Sequence, residues 1–475
     1  MRDRAELLGA LLAIERSMPV EHLQVDGAPL WPLIRIVAGS RAVLPQMQRP
    51  SQPSKRSHWQ VLVLMFRGWL QELAIARHPR GRLLFFSDRI YQAQTAKGWV
   101  DRFAEPLIDP ARASCKDSLL LVRTKRHNAE LKHRDGLHIQ DIGRMLALKD
   151  LVHWRKRRVP FSSLPFGTEI VRSIADTLGD AVADHLAKAV HSYRMHLRTY
   201  RKLINSLRPE HTFVTCWYSI ENMAVAQACH EHGIPCTDLQ HGVQGQAHLA
   251  YGHWVTEKVQ AWTCMPSSFW CWDDASAQHI RSWAGTAGPK VFEGGSPWFE
   301  AKHGNVDTVD VQDRCILFTM QPVDRPIPDH LAEAIRHTDQ QEKWVFRCHP
   351  STERHAEIVR SWAAREHLSD RVCVEMPATV PLSRSLARAR IHITLYSSVI
   401  LEAAMMGIPS IALDPYAQSI YPELVDQGLV VQAHSVSELL KGLELERQVQ
   451  GGNTERPDLG KRLSRLLEVD NGREK

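Results

Sequence analysis

The densest set of groups able to do chemistry is the run Thr394-Leu-Tyr-Ser-Ser-Val-Ile-Leu-Glu-Ala-Ala-Met-Met-Gly-Ile-Pro409. A β-prone segment ends at Thr394, two hydroxyls fill the turn, and an apolar helix begins. Ser397 and Ser398 then offer hydroxyls and free backbone N–H groups at a helix N-terminus, a setting that favours phosphate. Glu402, one turn further, can accept hydrogen bonds from ribose hydroxyls. Gly407 ends the helix and Pro409 starts the return to the sheet. The same residues also suit an ordinary N-cap followed by a solvated carboxylate. A second loop, Arg347-Cys-His349-Pro350-Ser351, closes another strand. His349 can donate to a phosphate there, and Pro350 stiffens the turn that presents it. We read the two loops as adjacent strand ends of one sheet.

A third constellation lies in the first half: Asp238-Leu-Gln240-His241-Gly242-Val-Gln-Gly245. It follows a strand directly, and its glycines let backbone approach a ligand closely. His248, Tyr251, His253 and Trp254 follow, a polar-aromatic segment suited to the face of a sugar or to local packing. Glu221, after Trp217-Tyr218-Ser219, and Asp88, after Ser87, end two earlier strands. Asp88, Glu221 and Asp238 are therefore the acids that topology can bring to a site, with Asp238 favoured by its neighbours Gln240 and His241. Each of the three also suits a helix cap or an ion pair. No phosphate-loop, Gly-x-Gly-x-x-Gly, Gly-x-Ser-x-Gly or Asp-x-Asp motif occurs, and no Cys/His pair has zinc-site spacing. The chemistry expected is metal-independent, with helix ends, His and Arg neutralising charge.

The elements that must position these groups alternate along the chain. Residues 1 to about 80 read as helices interrupted by a Pro/Ser cluster at 49–57. Strands are expected at 83–87 and 118–122, and one or two long helices over 169–207. A strand at 212–216, a helix at 219–232 and a strand at 234–238 form one unit of a parallel sheet. Segments 267–272, 275–283 and 290–293 repeat it. Polar residues at 302–313 mark a linker. Beyond it, strands are expected at 315–319, 344–347, 372–375, 391–394 and 410–413, with helices between them and a final helix near 435–445. The fold class expected is α/β, with two Rossmann-like domains: residues 1–300 with a helical N-terminal extension, and 301–475. Ligands of such sheets lie at the C-terminal ends of the strands.

Composition agrees. The 475 residues exceed one ordinary core, and 44% hydrophobic with 24% charged residues is the balance of a soluble globular chain. The net charge of +6 suits anionic ligands or a membrane surface and is too small to argue for nucleic acid. Nine scattered Cys, with no Cys-x-x-Cys pair, read as reduced buried thiols of a cytoplasmic protein. No segment has the length of a bilayer span. His153-Trp-Arg155-Lys156-Arg157-Arg158 combines four consecutive cations with an indole. It is expected to hold the enzyme peripherally on the inner membrane, or else to be a solvated basic loop or a patch that binds an anionic glycan.

The motifs Asp238-Leu-Gln-His-Gly242, Arg347-Cys-His-Pro350 and Ser397-Ser398 with Glu402-Ala-Ala-Met-Met-Gly-Ile-Pro409 resemble bacterial surface-polysaccharide glycosyltransferases of GT-B fold. Nearest are the capsule and O-antigen Kdo transferases. Sialyltransferases with a His-Pro motif and CDP-glycerol glycerophosphotransferases are similar in the second half. The resemblance covers about residues 210–415 and extends to Trp31-Pro-Leu-Ile-Arg35 and Gly295-Ser-Pro-Trp298. It implies the GT-B arrangement, two Rossmann-like domains facing across a cleft with the nucleotide sugar on 301–475, and that His349, Ser397 and Ser398 hold the donor phosphate and Glu402 its ribose. Arg347, Gln240 and His241 complete the donor-binding set. The acceptor and the catalytic acid belong to the N-terminal half, and Asp88, Glu221 and Asp238 all remain open for that part.

The expected activity is transfer of a sugar, Kdo or a related acidic sugar from a CMP-sugar, to a growing surface polysaccharide or lipid-linked glycan. The partners are then a nucleotide-sugar co-substrate and a glycan or glycolipid acceptor, with no other cofactor. The alternatives are a CDP-alcohol phosphotransferase, a sugar-nucleotide epimerase on the same scaffold, and a non-catalytic nucleotide-sugar-binding assembly protein.

Overall fold

The computed structural model describes residues 4–43, 58–76, 83–95, 98–113, 117–123, 138–143, 145, 146, 148, 159–179, 182–303, 314–350, 352–445 and 458–470. The basic run at 153–158, the linker residues 304–313 and Ser351 lie outside them. The chain divides into two compact units, Met1–Pro297 with Pro457–Lys475, and Trp298–Arg456.

The first unit begins with helices α1 (Arg4–Ser17), α2 (Trp31–Val43) and α3 (His58–Ala76). Its sheet contains β1 (Leu83–Asp88), β2 (Ser118–Arg123), β3 (His138–Asp141), β4 (His211–Thr215), β5 (Cys236–Leu239), β6 (Ser268–Cys271) and β7 (Lys290–Glu293). The spatial order is β7-β6-β5-β4-β1-β2-β3, and every pairing is parallel. Counted along the chain, that is the doubly wound order third-second-first-fourth-fifth-sixth, with a seventh strand added. Strand β3 has no counterpart in the sequence expectations.

Helices α4 (Glu105–Ala113), α5 (Gly167–Leu178), α6 (Val182–Leu207), α7 (Ile220–Glu231) and α8 (Asp274–Ala284) belong to this unit. Residues Leu186, Val190, Tyr193, Leu197, Tyr200 and Ile204 of α6 are buried. Their alternating spacing of four and three lines one face of a helix, which packs on α7 and α2.

The second unit repeats the winding. Strands β8 (Cys315–Thr319), β9 (Trp344–Arg347), β10 (Val372–Glu375), β11 (Ala389–Thr394), β12 (Ser410–Ala412) and β13 (Val430–Gln432) form a parallel sheet in the order β10-β9-β8-β11-β12-β13. The five expected strands are present, and β13 is a sixth. Helices α9 (Asp329–His337), α10 (His355–Arg365), α11 (Leu382–Arg388), α12 (Val399–Met405) and α13 (Val436–Gly442) connect them. Buried His392 of β11 bridges strands through Thr319 Oγ1 at 2.8 Å and Ser410 Oγ at 2.9 Å.

The expected second domain is corrected at its C-terminal end. Helix α14 (Leu459–Asp470) belongs to the first unit, where Leu463, Leu466 and Leu467 are buried and α4 is its neighbour. Asp470 accepts from Ser268 Oγ at 2.6 Å, and Lys290 Nζ donates to the Val469 carbonyl at 2.6 Å. The helix is amphipathic but its partner face is more than 150 residues upstream in sequence, so periodicity alone does not assign it.

Candidate active site

In doubly wound sheets the strand order reverses beside the first strand, and ligands bind outside the carboxyl ends of the strands there. In the first unit that reversal lies between β1 and β4. Asp88 ends β1, Arg123 ends the neighbouring β2, and Glu221 opens α7 just after β4. Arg123 closes on both acids, at 3.4 Å from Asp88 Oδ2 and 3.1 Å from Glu221 Oε2. Both carboxylates keep part of their surface accessible. Burial works against the Glu221 charge, but Arg123, with His196, outweighs it and holds the pKa below the usual value. Glu221 is therefore ionised at neutral pH, fit to act as a nucleophile or base but not as an acid. Arg123 was absent from the sequence expectations. The signal was available, since it ends its strand with a polar group just as Asp88 does.

Asp238, the favoured acid, is placed differently. It is fully buried, accepts the Trp217 backbone N–H on Oδ1 at 3.0 Å and the Tyr251 hydroxyl on Oδ2 at 2.6 Å. Burial pushes its pKa up to about 8, against the pull of those hydrogen bonds. Both oxygens are occupied within the protein, which suits a carboxyl that positions the turn after β4. In that turn Cys216 has φ +66°, a left-handed conformation uncommon outside glycine, and the Trp217 N–H is aimed at Asp238. Burial raises the Cys216 thiol to about 11, so it stays protonated.

Gln240 is likewise buried and bonded. Its Oε1 accepts the Trp272 N–H at 2.6 Å, and its Nε2 donates to the Gly242 carbonyl at 2.9 Å and Ser276 Oγ at 3.2 Å. It ties the loop after β5 to α8 instead of presenting an amide to a ligand. His241 is half-buried, with Nε2 3.3 Å from the Tyr218 hydroxyl and its ring edge-on to Tyr91 and Phe103. Burial, then Arg102, lowers its pKa to about 4, so it is a neutral hydrogen-bonding group. Of the segment suggested for a sugar face, Tyr251 and Trp254 are buried in the core.

The reason lies in α1 and α2. Glu15 accepts from Trp31 Nε1 at 2.8 Å, Arg35 at 2.9 Å and the Val255 N–H at 2.9 Å, while Arg35 stacks on Trp254 and donates to the His253 carbonyl at 2.6 Å. The spacing of Trp31 and Arg35 thus serves a buried ion pair that docks residues 253–255. Gly294 answers a similar need, because a Cβ there would lie 1.8 Å from Trp270, whose indole N–H donates to the Gly295 carbonyl at 2.9 Å.

In the second unit the reversal lies between β8 and β11. Gln321, after β8, accepts the Tyr396 N–H at 2.9 Å, joining the two strand ends. Ser397 Oγ accepts the Val399 N–H at 3.3 Å, and Ser398 is exposed with no side-chain cap bond. Gln321 has no counterpart in the sequence expectations, and the placing of the two loops differs from them. His349 follows β9, so β8 stands between the His349 and Ser397 loops, which lie on strands about 10 Å apart and not on adjacent ones. His349 is half-exposed, and burial, then His355, lowers its pKa.

Arg347 is buried and donates to Ser385 Oγ at 3.0 Å, with Glu375 3.7 Å away. Burial lowers its pKa, while Glu375 and then Glu402 act to raise it. Arg347 therefore anchors β9, β10 and α11 from below the loops, and Glu402 lies within its field. Among the described residues no group of His, Cys, Asp and Glu has the arrangement of a metal site.

Two parallel sheets with the same winding define an α/β chain of two Rossmann-like units, the GT-B architecture. Neither a family model nor a curated protein matches the sequence. Among solved structures, the UDP-GlcNAc 2-epimerase of Methanocaldococcus jannaschii is similar over 82% of this chain and 99% of its own, at 13% identity and TM-score 0.50. A Listeria monocytogenes protein assigned as UDP-N-acetylglucosamine 2-epimerase is similar over 82% and 97%, at 12% identity and TM-score 0.52. The glycotransferase of kitacinnamycin overlaps 82% of this chain and 96% of its own, at 12% identity and TM-score 0.47. At these identities the likeness is one of fold. Among the described residues no helix is long and apolar enough to cross a membrane.

Proposed function

We propose that the chain is a metal-independent glycosyltransferase that takes a nucleotide-activated sugar, with a CMP-linked acidic sugar of the Kdo type as the first candidate, and passes it to a surface polysaccharide or lipid-linked glycan. The observation that carries this reading is the Asp88–Arg123–Glu221 cluster at the reversal point of the first sheet. Sugar transfer requires a base for the acceptor hydroxyl or a carboxylate to attack the anomeric carbon. Glu221 and Asp88 supply that chemistry, and Glu221 is kept ionised for it. Asp238 and Gln240 shape the loops beside them, and neutral His241 offers a hydrogen bond. The departing nucleotide needs N–H and hydroxyl donors at its phosphates. His349, Ser397 and Ser398 of the second unit are assigned to it, and Glu402 to the ribose.

A sugar-nucleotide epimerase is the second reading, favoured by the fold shared with proteins named as UDP-GlcNAc 2-epimerases. Incubation with CMP-Kdo plus a glycan acceptor, with UDP-GlcNAc alone, and with CDP-glycerol separates the alternatives by product. Transfer to acceptor supports the proposal. An epimer formed from UDP-GlcNAc without acceptor replaces it, and nucleotide binding with no turnover points to a non-catalytic assembly protein.

A further inference from the structure

Helix α3 carries an apolar face that is exposed in the first unit as described. Trp59 is 73% exposed, Phe66 61%, Trp69 51% and Leu70 43%. At about 100° per residue these four fall within about 60° of Phe66 around the helix axis, a single stripe. The opposite side is the one that packs: Gly68 and Ile75 are buried, and Gln71 Oε1 accepts the Met145 N–H at 2.9 Å. The exposed aromatics are therefore a surface feature of a docked helix. Phe66 and Trp69 lie side by side, with ring centroids 6.4 Å apart.

Charge identifies the occupant. Between positions 49 and 82 the sequence has Arg49, Lys55, Arg56, Arg67, Arg77, Arg80 and Arg82 against Glu72 alone, an excess of six that equals the net charge of the whole chain, +6. A second copy seated on this stripe would bring together two chain segments that each carry this excess in sequence, which opposes self-association. An anionic lipid surface meets both requirements, because it accepts indole and phenyl rings at headgroup depth and attracts the flanking cations. Helix α3 is 19 residues long, and among the described residues no helix is both long and apolar enough to cross a membrane.

We propose that α3 lies in the plane of an anionic membrane surface, with Trp59, Phe66, Trp69 and Leu70 inserted and Arg67 at the headgroups. This goes beyond the proposed reaction and does not depend on it, since the surface is distinct from the carboxylate cluster and its test reads binding.

The test is flotation of the full chain with vesicles of phosphatidylcholine plus phosphatidylglycerol and of phosphatidylcholine alone, at low and high salt. The wild type is expected to float with the anionic vesicles, less so at high salt, and not with the neutral ones. The variant W59S/F66S/W69S, whose changes are all at exposed positions, should lose binding by at least about tenfold while keeping the wild-type circular dichroism and thermal unfolding. A variant with Arg155, Lys156, Arg157 and Arg158 changed to Ser, carried alongside, should retain α3-dependent flotation. Equal flotation of W59S/F66S/W69S and wild type overturns the proposal, as does a wild type that floats with neither vesicle. A wild-type dimer in gel filtration that W59S/F66S/W69S dissociates also overturns it, by assigning the stripe to a second copy.

Discussion

The Tyr251 hydroxyl donates to Asp238 Oδ2 at 2.6 Å, and both side chains are fully buried. With the Trp217 N–H on the other oxygen, the bond fixes the strained turn at Cys216, which leads into Glu221. The acid most prominent in the sequence is thus held inside the fold, while Asp88 and Glu221 pair with Arg123 and keep part of their surface accessible.

This placement has a pH signature. Burial raises the Asp238 pKa from 3.8 to about 8 in the folded state. Between those values the folded protein holds a proton that the unfolded chain releases, so this group's contribution is fully present below the lower value and is lost as pH rises through the upper one. The local slope is at most about 1.4 kcal/mol per pH unit. Melting of wild type and Asp238→Asn from pH 5 to 9 should show a decline in the wild type that the variant flattens. Parallel curves would mean that Asp238 is not the titrating group.

Removing Glu221 should affect turnover and spare the donor. Glu221→Gln is expected to lower kcat by about 100-fold or more, with nucleotide affinity near that of wild type, because the assigned nucleotide groups belong to the other unit. In Arg123→Met, burial of Glu221 is no longer opposed by the guanidinium. Its pKa rises, and the acid limb of the pH–rate profile should move to higher pH. An unshifted limb would separate Glu221 from the titration that limits the rate.

Nucleotide binding should depend on pH through His349. Its pKa lies below 6.5, so it is mostly neutral at pH 7, and a phosphate ligand favours the protonated form. Affinity for the donor nucleotide, measured by calorimetry, should increase from pH 8 to 6 and lose that dependence in His349→Ala.

The Glu15–Arg35 pair supplies a stability contrast. Both side chains are fully buried, and burial lowers Arg35 to about 10 despite Glu15. Glu15→Ala leaves an uncompensated guanidinium and should cost about 3–5 kcal/mol in urea unfolding of the first unit. Glu333→Ala, which breaks an exposed pair with Arg336, should cost about 1 kcal/mol or less. Similar losses in the two variants would refute the assignment of the Glu15 network as a structural anchor.

Hydrophobic periodicity and breakers are local, so the alternation of strands and helices was readable from residue order, as were the polar groups at strand ends. Asp88, Glu221, His349, Ser397 and Ser398 were found on that basis. Strand order is not local. Nothing in the sequence placed β8 between the His349 and Ser397 loops, or brought Arg123 of β2 between Asp88 of β1 and Glu221 after β4. Helix α14 has a clear amphipathic pattern, yet only packing decides that its leucines meet the first unit.

The same division runs through the side chains. The sequence determined an α/β chain of two units with alternating strands and helices, and the residue types available at their strand ends, because both follow from local chemistry. Only the tertiary structure decided that Asp238, Gln240 and Arg347 are consumed by internal bonds while Glu221 stays ionised and accessible. A carboxylate's charge and reach depend on the dielectric and partners packed around it, and those partners come from strands and helices distant in the chain.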